Sequence, residues 1–441
     1  MKRLTSLASG LALAGMLVLA GCGKQEPPPA PKAETPPPAP EIVTVKIGVA
    51  SPLTGPQAHI GNDIKNGVQL AVDDLNAQGV EIGGKKVKFE LIAEDDEANP
   101  TKATTVAQKL VDAKVAGVVG HFNSGASIPA SKIYSDAGVP QISPSSTNPK
   151  YTEQGFKTTF RVVANDNQQG PVLAQFAVEK LKAKSIAVID DSTAYGQGLA
   201  DTFEAKAKAL GAKIVAREHT TDKDTDFKAI LTKIKGRKPD LVMFGGIDPQ
   251  AGPMAKQMAE LGIKAKFIGG DGIQTPNFIK LAGKAAEGVM ASMPGLPKEQ
   301  MPGGQAFMDK FKAKFNAEVE LFAPMGYDAV FVFVDAMKRA GSTEPAKFLP
   351  EVGKTKLTGV IGPVAFDEKG DLVNGPLTVY VVKGEKWEPL ETIVPGGGAA
   401  EAPAPAAAAP GAAVPATTAP GAPAAAPAAP AGESMPPGAK K

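Results

Sequence analysis

Cysteine is nearly absent from this chain of 441 residues. The single one, Cys22, excludes any disulfide within the chain. Only three histidines occur, His59, His121 and His219, and no two stand at the helical spacing of a metal-ligand pair, so neither a metal nor another cofactor is expected. No G-x-S-x-G elbow is present and no cysteine is available as a nucleophile. Gly196-Gln197-Gly198 begins like a dinucleotide fingerprint but lacks the third glycine. Catalysis therefore has little to build on, and no catalytic residue is assigned. Charge of one sign is also lacking: 48 Lys and Arg face 46 Asp and Glu, a net +2 that offers no basic face for nucleic acid. What the chain does have is 43% hydrophobic residues, enough for a core, which excludes a wholly disordered chain. At about 150 residues per domain, its length suggests two or three domains.

The prolines crowd at the two ends. Lys2 and Arg3 precede an apolar run from Leu4 to Leu19, short for a membrane span, which needs about 20 apolar residues. The run ends in Leu19-Ala20-Gly21-Cys22, which resembles a bacterial lipobox. Residues 1–21 are read as a lipoprotein signal peptide and Cys22 as the lipidation site, anchoring the protein to a membrane. Gly23 stands where a retention aspartate would, which favours the outer membrane in a cell that has one. Residues 22–41 are a proline-rich tether, extended at about 3.1 Å per residue. Residues 394–441, nearly all Ala, Pro and Gly from Pro395, read as a disordered tail.

Between them, short β-branched runs alternate with amphipathic stretches. Val43–Ala50, Phe89–Ala93, Val115–Gly120, Val139–Ser143, Ile186–Ile189, Leu241–Phe244 and Phe267–Ile268 read as strands. Ile64, Val68, Ala71 and Leu75 recur at helical spacing, with Gly79 placed to end that helix. Further helices are expected over 129–136, 198–210 and 254–261, and around Phe227 to Ile234. Such alternation implies an α/β fold of parallel sheets covered by helices, and the length implies two lobes. Ligands of these sheets bind beyond the carboxyl ends of the strands. The loops there are rich in small hydroxyl residues: His121 to Ser127, Pro144 to Pro149, Asp190 to Gly198 and Gly270-Asp271-Gly272. Hydroxyls beside free helix N–H groups cradle a carboxylate, and a facing aspartate complements an ammonium; together they suit a zwitterion. Taken singly, Ser124 and Ser127 read as N-caps of the next helix, and Asp95-Asp96-Glu97 as a solvated acidic loop rather than a metal site.

In order along the middle run Ile47-Gly48-Val49-Ala50-Ser51-Pro52-Leu53-Thr54-Gly55-Pro56, Ile142-Ser143-Pro144-Ser145-Ser146-Thr147, Asp166-Asn167-Gln168-Gln169-Gly170-Pro171, Tyr195-Gly196-Gln197-Gly198 and Phe366-Asp367-Glu368-Lys369-Gly370-Asp371. This ordered set resembles the leucine/isoleucine/valine-binding protein family, the periplasmic receptors of branched-chain amino-acid ABC transporters. The resemblance implies a type I periplasmic binding fold of two lobes, each a parallel-rich sheet flanked by helices, joined by three crossings near Ala164, Met293-Pro294-Gly295 and Leu372-Val373. Lobe 1 would be 42–163 plus 294–371 and lobe 2 would be 164–293 plus 372–393.

Carried over by resemblance, Ser124 and Thr147 hold the ligand carboxylate, with Ser146 beside them, and the Ser145 carbonyl accepts from the ammonium. Asp271 pairs with that ammonium, while Tyr195 and Phe122 form apolar walls. Ile60 and Ile247 stand where family members place aromatic residues, so the side-chain pocket is reshaped. Ala98 and Asn123 occupy the place of a cysteine pair found in some relatives. The implied function is capture of a branched-chain or other neutral amino acid by hinge closure, and its delivery to a permease with cytoplasmic ATPase subunits. The protein would be a monomer on its lipid anchor, in the periplasm or at the cell surface. The same fold also serves ligand sensors and cell-envelope scaffolds.

Overall fold

The computed structural model describes residues 42–394. The expected signal peptide, Cys22, the tether and the tail from Pro395 lie outside the described residues. In chain order the elements are β1 Ile42–Ser51, α1 Ala58–Gln78, β2 Glu81–Ile82, β3 Lys85–Asp95, α2 Pro100–Asp112, β4 Gly117–Gly120, α3 Ser124–Asp136, β5 Gln141–Ser143, α4 Lys150–Glu153 and β6 Thr159–Arg161. There follow α5 Asp166–Gln175, β7 Ser185–Asp190, α6 Ala194–Ala209, β8 Lys213–His219, α7 Lys228–Arg237, β9 Leu241–Gly245, α8 Asp248–Glu260, β10 Lys266–Gly269, α9 Pro276–Ala282 and β11 Met290–Pro294. The last are α10 Gly304–Phe315, α11 Ala323–Ala340, α12 Pro345–Val352, β12 Lys356–Gly359, β13 Gly362–Ala365, β14 Leu377–Lys383 and β15 Lys386–Ile393.

Two sheets carry the fold, in the orders β2-β3-β1-β4-β5-β6 and β15-β14-β11-β10-β9-β7-β8. β1 pairs in parallel with β3 on one edge and β4 on the other, and α1 and α2 pack on it, so Val45, Ile47 and Val49 are buried. α1 lays Ile60, Ile64, Val68, Ala71 and Leu75 on one face and stops at Gly79, whose φ of 65° takes the left-handed turn that a Cβ would oppose. α1 and α11 pack together, and α11 also lies on β4. Asp63 of α1 accepts from the backbone N–H groups of Glu320, Leu321, Phe322 and Ala323, satisfying donors left free at the start of α11.

The sheets are not parallel throughout. β2 is antiparallel to β3, and β14 is antiparallel to both β11 and β15. The β14–β15 hairpin turns on Gly384 and Glu385, with φ of 53° and 63°, the double positive φ of a type I′ turn. A separate hairpin joins β12 and β13. On β15, Trp387 packs its ring 5.6 Å from that of Phe278 and donates from Nε1 to the Thr275 carbonyl at 2.9 Å. α3 begins at Ser124, five residues before the expected start, with Pro129 inside it. Its N-cap is Asn123, so neither Ser124 nor Ser127 caps it. The chain passes between the two sheets three times: between β6 and α5, after β11, and between β13 and β14.

Candidate functional site

The loops beyond the carboxyl ends of the strands meet in a cleft between the two sheets. Phe122, Asn123, Ser124 and Ser145 line it from one side; Tyr195, Ile247, Asp271 and Gly272 line it from the other. Only about 10 Å³ between them admits water, room for barely one molecule. A molecule larger than water enters only if these walls part.

On the first wall the loop after β4 is stapled to the loop after β5. The His121 carbonyl accepts from the hydroxyls of Ser127 at 3.1 Å, Ser143 at 2.9 Å and Ser146 at 3.2 Å. Ser145 Oγ donates to the Phe122 carbonyl at 3.0 Å. The Ser146 hydroxyl is therefore engaged within the wall, and Ser127 Oγ lies 2.6 Å from it. Ser124 Oγ accepts from the Asn148 N–H at 3.2 Å, which leaves its own proton to donate. Thr147 Oγ1 is buried and acts on the neighbouring Asp166 carboxyl. Ser124, which lines the cleft, thus keeps a proton to donate, whereas the Thr147 hydroxyl is turned to Asp166 and does not line the cleft.

Arg161 holds this wall from behind. It is fully buried and donates to the Ser146 carbonyl at 2.5 Å, to the Asn148 carbonyl at 3.1 Å from both terminal nitrogens, and to Thr152 Oγ1 at 2.8 Å. The Ser145–Thr147 loop takes its shape from this guanidinium. His121, also buried, bonds through Nδ1 to Asp96 at 2.7 Å and through Nε2 to Tyr134 at 3.2 Å. The acidic loop is thus only partly solvated: Asp96 is buried, because it has an imidazole to bind. No group of three or more His, Cys, Asp or Glu fit to hold a metal occurs among the described residues.

On the second wall Thr193 caps α6 by accepting from the Gly196 N–H at 3.0 Å, and this sets Tyr195 in the first turn. Tyr195 Oη donates to Asp271 Oδ1 at 3.0 Å and accepts from the Gly272 N–H at 3.1 Å. Gln169 Nε2 donates to the same Oδ1 at 2.7 Å and to Ser292 Oγ at 2.9 Å. Glycine at 270 is required by this approach, since a Cβ there would come within 2.5 Å of Tyr195 Oη and press on Leu199. Burial pushes the Asp271 carboxyl up to about 6, against the two donors that favour its charged form. Ile247 lines the cleft, whereas Ile60 is packed wholly in the core beside it.

Four residues beside this cleft carry no role in the sequence reading: Arg161, which it does not mention, and Asp166, Gln169 and Gly270, which stand only within its motifs and loops. Asp166 is buried at the first turn of α5, and the Thr147 hydroxyl acts on its carboxyl. Burial and then the neighbouring Asp271 push its pKa up to about 8, against the Thr147 hydroxyl and the Arg161 charge. The signal was present: Asp166 and Gln169 are three apart on one helix, and so share a face.

Residues 44–386 match the family described as periplasmic binding protein. An amino acid binding protein of Pseudomonas aeruginosa is 40% identical over 342 residues, 77% of this chain and 90% of that protein. Leu/Ile/Val-binding protein homolog 1 of Brucella abortus is 37% identical over 389 residues, 87% of this chain and 96% of that protein. The crystal structure of the branched-chain amino acid transporter substrate binding protein LivJ from Streptococcus pneumoniae, in complex with isoleucine, superposes with a TM-score of 0.74 at 32% identity, covering 80% of this chain and 100% of that one. With a family match across its folded part and this fold in common, the chain belongs to the periplasmic binding protein family, in the company of the leucine-, isoleucine- and valine-binding proteins, and has their two-lobed α/β architecture.

Proposed function

We propose that this protein is the extracytoplasmic substrate-binding lipoprotein of an ABC transporter, capturing a branched-chain or other neutral amino acid between its lobes. One observation carries the reading. Asp271, on one wall, is a buried carboxylate with both its side-chain donors on Oδ1, and it shares a water-sized cleft with Ser124 and Ser145 on the other wall. A free α-amino acid supplies what both walls need. Its carboxylate accepts from the Ser124 and Thr147 hydroxyls, and its ammonium meets Asp271 Oδ2 and the Ser145 carbonyl. Tyr195, Phe122 and Ile247 enclose the side chain, with Ile60 shaping the pocket from beneath.

In this reading the lobes are 42–163 plus 294–371 and 164–293 plus 372–393, and they close about the three passages of chain. A ligand that touches both lobes stabilises the closed form by its differential affinity. Cys22 carries the lipid, on the outer membrane in a cell with two, and the proline-rich segment lets the monomer reach its permease. The test is to strip endogenous ligand by unfolding and refolding, then measure thermal shifts with each amino acid. Leucine, isoleucine or valine is expected to raise Tm; no shift with any amino acid at saturation defeats the proposal.

A further inference from the structure

Beside the cleft, one side chain from each wall forms a direct bond. His59 Nε2 lies 2.8 Å from Asp248 Oδ2. His59 is on α1, which packs on the first sheet, and Asp248 opens α8, which packs with α7 and α9 on the second. Each is one residue from a predicted pocket residue, Ile60 after His59 and Ile247 before Asp248. Asp248 is fully buried, and the same Oδ2 also accepts from Thr275 Oγ1 at 2.7 Å and Asn277 Nδ2 at 2.9 Å. Oδ1 has no partner. Three groups on one oxygen, at the start of a helix, hold this carboxylate in place.

The ring's other charged neighbour is also acidic. Glu320, from the segment before α11, acts on it with an Oε2 that has no hydrogen-bond partner, and the backbone of Pro56 bonds to it. Asp63 and Lys298 act in turn on Glu320, with Lys298 Nζ donating to the Val319 carbonyl at 2.6 Å. The His59 side chain is 22% exposed. Burial alone would disfavour the imidazolium, and it is the largest single influence; Asp248, Glu320 and Pro56 together outweigh it and raise the pKa above 6.5.

We infer that His59 and Asp248 form a proton-operated latch across the cleft, so that closing on ligand takes up a proton. The inference rests on the reading that the walls part and close around an amino acid. With the walls apart, His59 keeps Glu320 and Pro56 but loses Asp248, so its value falls. With them closed its value is raised. Closure is therefore favoured in full below the open-state value, and this advantage is lost as pH rises through the closed-state value. Asp271 acts in the opposite sense and only at lower pH, since its value is about 6.

The full-length chain tests this by NMR titration of its three histidines and by calorimetry with L-leucine, in wild type, His59→Gln and Asp248→Asn. His59 is assigned by its loss in His59→Gln. The expected result is a His59 titration above 6.5 in wild type, higher still with L-leucine, and lower in Asp248→Asn. Affinity for L-leucine should fall by about threefold or more between about pH 6.5 and about pH 8.5 in wild type and stay flat in His59→Gln. A His59 that titrates at or below 6.5 with and without L-leucine, or an equal affinity loss in His59→Gln, overturns the latch. If L-leucine and the other amino acids give no heat while His59 still titrates high and drops in Asp248→Asn, the latch stands and the amino-acid reading fails.

Discussion

Arg161 Nε donates to Asp371 Oδ1 at 2.6 Å, joining the end of β6 to the turn that leads towards β14. Asn165 Nδ2 donates to the other oxygen of the same carboxylate at 2.9 Å. Two of the three passages between the sheets are thus tied to one aspartate, and the same guanidinium shapes the Ser145–Thr147 loop. The passages between the sheets and the Ser145–Thr147 loop share one cation.

Removing that cation leaves Asp371 without its counter-charge and the Ser146 carbonyl without its donor. Arg161→Ala is expected to cost about 3–5 kcal/mol, as for other broken buried pairs. Arg161→Lys should recover only part of this, because a lysine cannot supply the planar fork of donors. Denaturant unfolding measures both; a loss below about 1 kcal/mol in the alanine variant would mean that the rim holds its shape unaided.

Asp271→Ala should weaken amino-acid binding by about tenfold or more, since the ligand ammonium would enter a desolvated site without its counter-charge. Calorimetry with the natural ligand decides it, and an unchanged affinity would remove Asp271 from the site.

The pH dependence of that contact follows from the burial of the carboxyl. With no ammonium beside it, Asp271 holds its proton up to about pH 6, and only the charged form pairs with the ligand. Below about pH 6 binding must first expel a proton, so affinity falls as pH falls. Measured from pH 7 down to pH 5, wild type should lose affinity with a proton released on binding, and Asp271→Asn should not.

Asp166 makes the opposite exchange, giving up stability for a charge-ready site. Its value is raised from 3.8 in the unfolded chain to about 8 in the fold, so its favourable contribution is present below 3.8 and lost as pH rises through about 8. Asp166→Asn should match wild type in Tm near pH 4 and exceed it near pH 8, by about 2–4 °C for each kcal/mol regained. A gap that does not widen with pH would show that the carboxyl is not buried uncharged.

Gly270→Ala tests the fit of the second wall. Its Cβ would displace the Tyr195 hydroxyl from Asp271, so binding should weaken by about tenfold while the fold survives with a small drop in Tm. Retained affinity would mean that Tyr195 does not position the carboxylate.

The alternation of strands and helices was legible because each buried parallel strand is a continuous apolar run bounded by small polar loops, as in β1, β4 and β9. The antiparallel edge was not read: β15 is half-exposed and rich in charge, with Lys386, Glu388 and Glu391, so it lacks the apolar run that marks a central strand. Individual cleft residues such as Asp271 and Tyr195 could be named from ordered motifs. Their supports could not. Arg161 meets Asp371 across 210 residues, and no local pattern encodes such a partner. Ser146 shows the converse, a hydroxyl in the right motif whose hydrogen bonds are used within the wall itself.

The chain contains one tryptophan, Trp387, and hydrogen bonds connect it to the His59–Asp248 contact. Trp387 donates to the Thr275 carbonyl, and the Thr275 hydroxyl donates to Asp248, the carboxylate that reaches across to His59. An indole two hydrogen bonds from that junction is expected to change its emission when L-leucine is added, which stopped-flow fluorescence on the unlabelled protein would check.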